Sequence, residues 1–237
     1  MKKYLFIPIL LIINLTYSQL PSYVSSNGLV GYWPFAGNAN DISGNSNNGT
    51  VNGATLTTDR NGIANSAYNF NGTSSYISVL NNPTFNFSNQ FTFSYWINPT
   101  SLSGTQLSII LSKQINFGTD QNGFNSNIEL GALSNFRLQN GTSNPAFSLN
   151  SPANSIAINT WYHIVQTWNG TQGTIYINGV LTAQNTTSAT LGNTSADLLI
   201  GKANWAAGNV KVFNGKIDDI GIWNRALTAQ EIANLYN

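Results

Sequence analysis

The stretch Phe91-Thr92-Phe93-Ser94-Tyr95-Trp96-Ile97 is the clearest structural signal in the chain. Successive side chains of a β-strand point to opposite sides. Residues 91, 93 and 95 would therefore form one strongly aromatic face, with residues 92, 94 and 96 on the other. This alternation predicts a strand that packs its aromatic face against a core.

A second stretch, Ile217-Asp218-Asp219-Ile220-Gly221-Ile222-Trp223, alternates in the same way. Regular alternation would place residues 217, 219, 221 and 223 on one face and residues 218, 220 and 222 on the other. It predicts that Asp218 and Asp219 point to opposite faces and therefore cannot act as a pair.

Outward from these two stretches, apolar runs recur at intervals of roughly 10–15 residues, separated by clusters of Asn, Gly and Ser, a spacing typical of a β-sandwich or barrel. Residues 174–177 lead into Asn178-Gly179 and leave through residues 180–183. Asn-Gly supplies the positive φ angles of a two-residue type I′ turn, which predicts a hairpin. Asn71-Gly72 separates residues 67–70 from 76–79 in a similar way.

One helix is predicted, and it closes the chain. Thr228 is its N-cap, and Glu231, three residues later, completes a capping box. Ile232 and Leu235 are three residues apart and so share the buried side of this helix.

Composition limits the range of functions. Only 7% of the 237 residues are charged, the formal net charge is +1, and there is no cysteine. Loss of Lys2 and Lys3 with a leader would bring the charge to −1 (+1 minus 2). Since no basic cluster is present to release counterions from phosphates, no nucleic acid is expected as partner. Without disulfides, stability must come from a sizeable core, with help from any bound metal ion.

Residues 1–18 have the pattern of a secretory signal peptide: a positive start, an apolar run over residues 4–15, and small residues at Thr16 and Ser18. The run of about 12 residues is shorter than the roughly 20 that span a membrane. An uncleaved anchor is the alternative. We expect a secreted or cell-envelope protein with no transmembrane segment after leader removal, residues 19–27 as linker and residues 28–237 as one domain.

Several segments together resemble the laminin G-like (LamG) domain of the concanavalin A-like lectin/glucanase superfamily. In chain order they are Gly28–Phe35, Asn38–Asn45, Ala67–Gly72, Phe91–Ile97, Trp161–Val165, Phe213–Ile220 and Trp223–Leu227. The resemblance implies an all-β, two-sheet antiparallel jelly-roll sandwich with one short C-terminal helix and with the first and last strands adjacent. The superfamily contains both lectins and glycoside hydrolases, so the fold alone does not assign an activity.

Catalysis has few candidate residues. Glycosidases generally use two carboxylates, yet the glutamates are only Glu129, which has no acidic neighbour, and Glu231, which is explained by helix capping. His163, the single histidine, shares a face with Trp161 and Val165 and is interpreted as a core or supporting residue. No Gly-x-Ser-x-Gly motif accompanies it. A non-enzyme is expected, with a glycoside hydrolase as the remaining catalytic alternative.

A structural calcium ion is implied by the resemblance, because LamG-like domains commonly bind one where the first loop meets the last strand. Asp41, in an Asn-rich loop, and Asp218 or Asp219 would supply carboxylates to an ion that requires six to eight oxygen ligands. The alternative is that Asp41 caps a turn and Asp218 bonds nearby backbone.

Recognition of extracellular carbohydrate is the leading function. Trp205 lies in a predicted loop and would stack on a sugar ring, with Asn204 and Asn209 beside it. A second polar loop, with Asp120 and Asn122 between Phe117 and Phe124, is the other candidate. The alternatives are that Trp205 folds over a sheet edge, and that the domain is an adhesion module binding a cell-surface or matrix protein.

Overall fold

The computed structural model describes residues 19–87, 89–102, 107–114, 122–129, 131, 133–141, 145–203 and 212–237. Within this part of the chain two antiparallel sheets pack face to face, with one α-helix on the outer side. The expected all-β jelly-roll sandwich is confirmed. The predicted signal peptide, residues 1–18, lies outside the described residues and stays a prediction.

Sheet A has the strand order β13-β12-β11-β6-β15-β4-β3, with β1 also paired to β15. This pairing brings the first and last strands together, as the resemblance implied. The strands of sheet A are β1 (Leu29–Trp33), β3 (Thr55–Thr57), β4 (Ala67–Asn71), β6 (Phe91–Pro99), β11 (Tyr162–Trp168), β12 (Gln172–Ile177), β13 (Val180–Thr186) and β15 (Asn214–Trp223).

Sheet B has the order β10-β9-β8-β7-β14-β5-β2. Its strands are β2 (Gly49–Asn52), β5 (Tyr76–Val79), β7 (Ser108–Gln114), β8 (Asn122–Glu129), β9 (Leu133–Asn140), β10 (Phe147–Asn150) and β14 (Leu198–Ile200). A 3₁₀ turn, Pro83–Phe85, precedes β6, and helix α1, Ala229–Tyr236, follows β15.

The core lies between the two sheets and is rich in aromatic side chains. Phe91, Phe93 and Tyr95 of β6 are fully buried there, as the alternation predicts. Phe93 packs against Phe124 of sheet B with ring centroids 4.5 Å apart. Tyr95 adds a polar link across the sandwich, because its hydroxyl lies 2.6 Å from Ser126 Oγ.

The local predictions for the hairpin and the helix are confirmed. Asn178 and Gly179 have φ angles of 52° and 75° and join β12 to β13. Thr228 Oγ1 accepts a hydrogen bond from Glu231 N, and Thr228 N donates to Glu231 Oε2, so the capping box is present. Ile232 and Leu235 are both buried against the outer face of sheet A.

Asn71-Gly72 does not form a hairpin, in contrast to the prediction. The strands on either side of this turn belong to different sheets, β4 to sheet A and β5 to sheet B. Asn71 Oδ1 accepts hydrogen bonds from the backbone N–H groups of Thr73, Ser74 and Ser75, and this cap turns the chain from one sheet to the other. The turn signal was correct, but it does not determine which strand is the partner.

The predicted separation of Asp218 and Asp219 is wrong. The register of β15 shifts between Asp218 and Gly221, and Asp219 has a φ of 44°. Such a bulge inserts an extra residue and breaks the alternation of side chains. Ile217, Ile220 and Ile222 all reach the core, while the two carboxylates contact the same guanidinium on the outer side.

Candidate functional site

The outer face of sheet B carries a set of adjacent polar side chains. In β8 and β9, residues such as Phe124 and Phe136 point into the core, so the residues between them point away from it. The strand registers place these outward residues in cross-strand rows. We call the following six side chains the polar array: Ser112, Asn125, Asn127, Asn135, Arg137 and Gln139.

Five of these six side chains are almost completely buried: Ser112, Asn125, Asn127, Asn135 and Gln139 are at most 4% exposed. Asn125 Nδ2 donates to Gln114 Oε1 over 3.0 Å, and Asn135 Nδ2 donates to Ser148 Oγ over 3.0 Å. Buried amides normally use all of their donors and acceptors. These side chains use only some of them.

Several buried atoms of the polar array have no hydrogen-bond partner among the residues that the structure describes. They are Ser112 Oγ, Asn125 Oδ1, both Oδ1 and Nδ2 of Asn127, Asn135 Oδ1, Arg137 Nε and Gln139 Oε1. Each such atom costs about 1–3 kcal/mol when it is left without a partner. A ligand with both donor and acceptor groups would satisfy them.

Among the described residues of this face, the charges of Glu129 and Arg137 balance. Arg137 Nη2 donates to Glu129 Oε1, and this ion pair joins β8 to β9 at the margin of the array. Glu129, which has no acidic neighbour in sequence, is therefore held by a cation in the fold. The arrangement suits a neutral, hydrogen-bonding ligand rather than a strongly charged one.

The predicted carbohydrate-binding residues divide into two groups. Asn122, at the start of β8, is paired in register with Asn140 of β9, on the same sheet as the polar array. A Cβ placed on Gly192 would lie 1.9 Å from Asn122 Oδ1, so the amide packs tightly against that loop. The other predicted residues lie outside the described residues and stay predictions: Asp120, Asn204, Trp205 and Asn209.

Asp41 is fully engaged within its own loop. Its Oδ1 accepts hydrogen bonds from the backbone N–H groups of Tyr32 and Ser43, and its Oδ2 accepts from Ser43 Oγ and Asn47 N. This is the turn-capping alternative. The contacts fix the connection between β1 and β2.

Asp218 and Asp219 hold an internal cation. Arg60 Nη1 lies 2.8 Å from Asp218 Oδ2 and 2.7 Å from Asp219 Oδ2. Burial, followed by repulsion from Asp219, raises the pKa of Asp218, and burial also raises the pKa of Asp219. The hydroxyl of Tyr32 donates to Asp219 Oδ1 over 3.0 Å.

The predicted calcium ligands are therefore not brought together on one ion. Asp41 contacts the backbone N–H of Tyr32, whereas Asp219 contacts its phenol oxygen. Among the described residues, no group of three or more His, Asp or Glu side chains is arranged to hold a metal. As arranged here, these carboxylates do not fit a calcium site. The ion itself stays a prediction.

His163 is buried, consistent with its interpretation as a core or supporting residue. Its Nε2 lies 2.8 Å from Ser94 Oγ, and its ring stacks on Trp96 with centroids 5.0 Å apart. Burial, with a smaller contribution from Arg60, lowers the pKa of His163 to about 3, so the ring is neutral near pH 7. Because Nδ1 has no hydrogen-bond partner among the described residues, no acid in this part of the chain orients the ring as in a catalytic triad.

Comparison with known proteins identifies the family. A family model of laminin G type, described as the concanavalin A-like lectin/glucanases superfamily, matches residues 71–233. The chain belongs to this superfamily. The match spans more than half of the chain and includes the whole of the polar array.

Solved structures share the fold of this laminin G-like chain. The binding domain of Paraclostridial mosquitocidal protein 1 has a TM-score of 0.71 and 23% identity, over 90% of this chain and 52% of that one. Domain 4 of AbnA, an extracellular arabinanase from Geobacillus stearothermophilus solved with arabinotriose, has a TM-score of 0.64 and 21% identity, over 88% and 98% of the two chains.

A botulinum neurotoxin type C structure, whose description links cell entry to two ganglioside molecules, has a TM-score of 0.69 and 19% identity. It matches over 90% of this chain and 51% of its own, so this laminin G-like chain spans about half the length of both toxin chains. At these identities the likeness establishes a shared fold. No curated protein matches the sequence.

The polar array was not among the predicted sites. Its asparagines and glutamine occupy alternate positions of β8 and β9, and such a pattern is typical of any solvent-facing side of a strand. The informative signal was available but weak: Asn125 and Asn127 alternate with core residues in a chain that has very few charges. Only the register of neighbouring strands shows that these amides meet.

Proposed function

We propose that this chain is a non-catalytic extracellular module that binds carbohydrate on the outer face of sheet B. The observation that carries the proposal is the set of buried, unpartnered amide and hydroxyl atoms of the polar array. Their desolvation cost is recovered when a ligand completes their hydrogen bonds.

The mixture of donors and acceptors favours sugar hydroxyls as the ligand groups. An amide offers a carbonyl acceptor and two N–H donors, and a hydroxyl group both donates and accepts. Within the described part of this face, the ion pair between Glu129 and Arg137 leaves no net charge. A neutral polyhydroxylated ligand matches this chemistry better than an anionic polymer such as nucleic acid, which needs a cluster of cations.

The comparisons support the same ligand class by analogy of fold. One structural neighbour was solved with arabinotriose, and another is described with gangliosides. For the present chain the analogy selects the first probes to try.

A glycoside hydrolase is the less favoured function. It would need two carboxylates on either side of the scissile bond. Among the described residues of the polar array and its margin, Glu129 is the one carboxylate, and Arg137 holds it.

We propose extracellular location from the signal-peptide pattern, which N-terminal sequencing of the exported protein would test by finding cleavage after Ser18.

The direct test is retention on immobilised glycans, with arabinan and ganglioside-bearing vesicles as first probes and a glycan array for breadth. We expect Asn127→Leu to lose retention at least tenfold, because it removes both unpartnered amide atoms from the centre of the array. The matched control is Asn185→Leu, the same change at an exposed position of β13 on sheet A. Equal retention by wild type and Asn127→Leu would refute the assignment of the site.

Trp205→Ala tests the loop candidates separately. Loss of retention in Trp205→Ala with the array intact would make the loop the principal contact. Loss in both variants would place the loop and the array in one site. A protein that releases reducing sugar from the retained polysaccharide would overturn the non-catalytic assignment.

A further inference from the structure

A cleft of about 460 Å³ opens on the outer side of sheet A, remote from the polar array. Small-molecule sites commonly have volumes of about 300–1,000 Å³ and combine aromatic walls with a few polar groups. The aromatic cleft, as we call it, lies between the C-terminal end of α1, the Arg60 loop and the segment before β1. Its lining includes Tyr23, Arg60, Trp96, Trp161 and Tyr236.

The floor of the aromatic cleft is rigid. Trp96, on β6, stacks on His163 with centroids 5.0 Å apart and on Tyr236 with centroids 5.8 Å apart and an interplanar angle of 18°. The Arg60 guanidinium lies 4.5 Å from the centre of the Trp96 ring. These contacts fix the ring, so little side-chain entropy remains to be lost when a ligand enters.

The walls present accessible aromatic surface. Tyr23 and Tyr236 are 41% and 39% exposed, and Trp161, directly before β11, is partly exposed. Large exposed aromatic side chains gathered around one concavity differ from the scattered apolar residues of an ordinary surface. Flat rings of this kind offer a platform for the apolar face of a cyclic ligand.

The polar groups of the aromatic cleft are mainly amides. Asn61, Asn234 and Asn237 come from two different segments of the chain and surround the aromatic rings. The positive charge of Arg60 is taken up by Asp218 and Asp219. Since burial and mutual repulsion raise the pKa of Asp218, protonation of one carboxyl brings the three groups close to charge balance. The cleft therefore offers rings and neutral hydrogen-bonding groups.

We infer that the aromatic cleft is a second carbohydrate site, in which a neutral sugar ring stacks on Trp161 and Tyr236 and its hydroxyls bond the surrounding asparagines. It lies on the opposite side of the sandwich from the polar array. Bridging of two glycan strands by one chain rests, in addition, on the proposed function of the polar array. Sugar binding in the aromatic cleft does not depend on the polar array.

The test measures tryptophan fluorescence and isothermal titration of the whole protein with four neutral trisaccharides: arabinotriose, xylotriose, cellotriose and maltotriose. The variants are Trp161→Ala and Tyr236→Ala in the cleft, and Asn127→Leu in the array. Tyr76→Ala is the matched aromatic control, because Tyr76 is partly exposed on sheet B, where Lys202 lies over its ring. Thermal melting of every variant checks that it is folded.

We expect at least one trisaccharide to change the fluorescence of the wild type. Trp161→Ala and Tyr236→Ala should each weaken that binding at least tenfold, while Tyr76→Ala leaves it within about twofold. No response to any of the four sugars, or wild-type binding by both cleft variants, would overturn the inference. Binding lost only in Asn127→Leu would support the array and refute the cleft. Loss only in Trp161→Ala and Tyr236→Ala would support the cleft, and the array is then judged separately by the glycan retention of Asn127→Leu.

Discussion

The outer faces of the two sheets carry side chains of opposite polarity. On sheet A, helix α1 packs an apolar cluster that includes Trp223, Ile232 and Leu235 against the strands. On sheet B, the corresponding surface carries the amides of the polar array. Both faces are buried, but burial of apolar surface is favourable, whereas burial of unpartnered amides is costly.

The two faces differ in how many buried polar atoms lack a hydrogen-bond partner, and this difference indicates which face stabilises the fold and which one binds. Among the described residues on the outer face of sheet A, His163 Nδ1 is the one buried side-chain polar atom without a partner, whereas the polar array contains seven. We interpret the apolar cluster on sheet A as the part that holds the chain ends together. The polar array on sheet B is the proposed ligand-binding surface. Substitutions on the two faces should therefore have opposite effects on stability and binding.

The largest loss of stability is expected for Trp223→Ala. The indole is fully buried in the apolar cluster, and its Nε1 donates to Ser25 O over 2.7 Å. Replacement of a buried Trp by Ala typically costs about 3–5 kcal/mol. Urea unfolding would measure this loss, with Leu80→Ala, at a side chain 75% exposed, as a control that changes stability by less than about 0.5 kcal/mol. Equal effects of the two variants would contradict the role of the cluster.

Arg60→Met should have the next largest effect, a loss of about 3 kcal/mol, because it leaves Asp218 and Asp219 without their cation. Without Arg60 the folded-state pKa values of both acids rise further above the unfolded values. The folded state then binds more protons than the unfolded state, so stability falls as pH rises through the folded pKa. Unfolding at pH 5 and pH 8 should show a larger loss at pH 8.

The double variant Arg60→Met with Asp218→Asn provides the control for this ion pair. Removal of one carboxylate should recover part of the stability and reduce the pH dependence. A loss that is the same at both pH values and is not recovered in the double variant would mean that Arg60 acts through packing on Trp96 alone.

Asn127→Leu tests the other face and should change stability by about 1 kcal/mol or less, with an increase as the expected sign. The substitution keeps the side-chain size and removes two buried polar atoms that have no partner. Urea unfolding would measure this, while glycan retention is expected to fall. A loss of several kcal/mol would indicate that the array is structural.

Among the substitutions, Glu231→Gln is expected to have the smallest effect on stability. It should lower the melting temperature near pH 7. The hydrogen bond from Arg225 lowers the pKa of Glu231 to about 2. Because the folded pKa lies below the unfolded one, this stabilisation is present above about pH 4.5 and disappears as pH falls through 2. Melting curves of both proteins should therefore converge in strong acid, and a constant difference would exclude the ionic contribution.

Treatment with a calcium chelator tests whether Asp41, Asp218 and Asp219 hold an ion. Arg60 occupies Asp218 and Asp219, and Asp41 is saturated by backbone and hydroxyl donors. We expect the melting temperature to be unchanged by a chelator. An increase of several degrees on adding calcium would show that these acids rearrange around an ion, as the resemblance implied.

Local signals predicted much of the fold. The alternation at residues 91–97, the Asn178-Gly179 turn and the Thr228 capping box act over a few residues, and each appears in the structure as expected. The partner of a strand depends on distant residues, so the turn at Asn71-Gly72 was mistaken for a hairpin. The bulge at Asp219 was missed because its positive φ is imposed by the pairing of β15 with its neighbours.

The candidate sites were less predictable for the same reason. The polar array depends on the register of β7, β8 and β9, and the aromatic cleft joins residues as far apart as Tyr23 and Tyr236. No spacing along the chain shows that the residues of either site meet. The sequence directed attention to the predicted loops that contain Trp205 and Asp120, whereas the described residues place the amides on the sheet itself.

The most direct measurement of the central claim is an NMR titration of the side-chain amide groups with the oligosaccharide that the protein retains most strongly. We predict that the Nδ2 protons of Asn125, Asn127 and Asn135 shift together, and that the shifts saturate with the affinity measured by retention. Unchanged signals from these three amides at a saturating ligand concentration, with shifts confined to other residues, would contradict the claim that the outer face of sheet B binds the glycan.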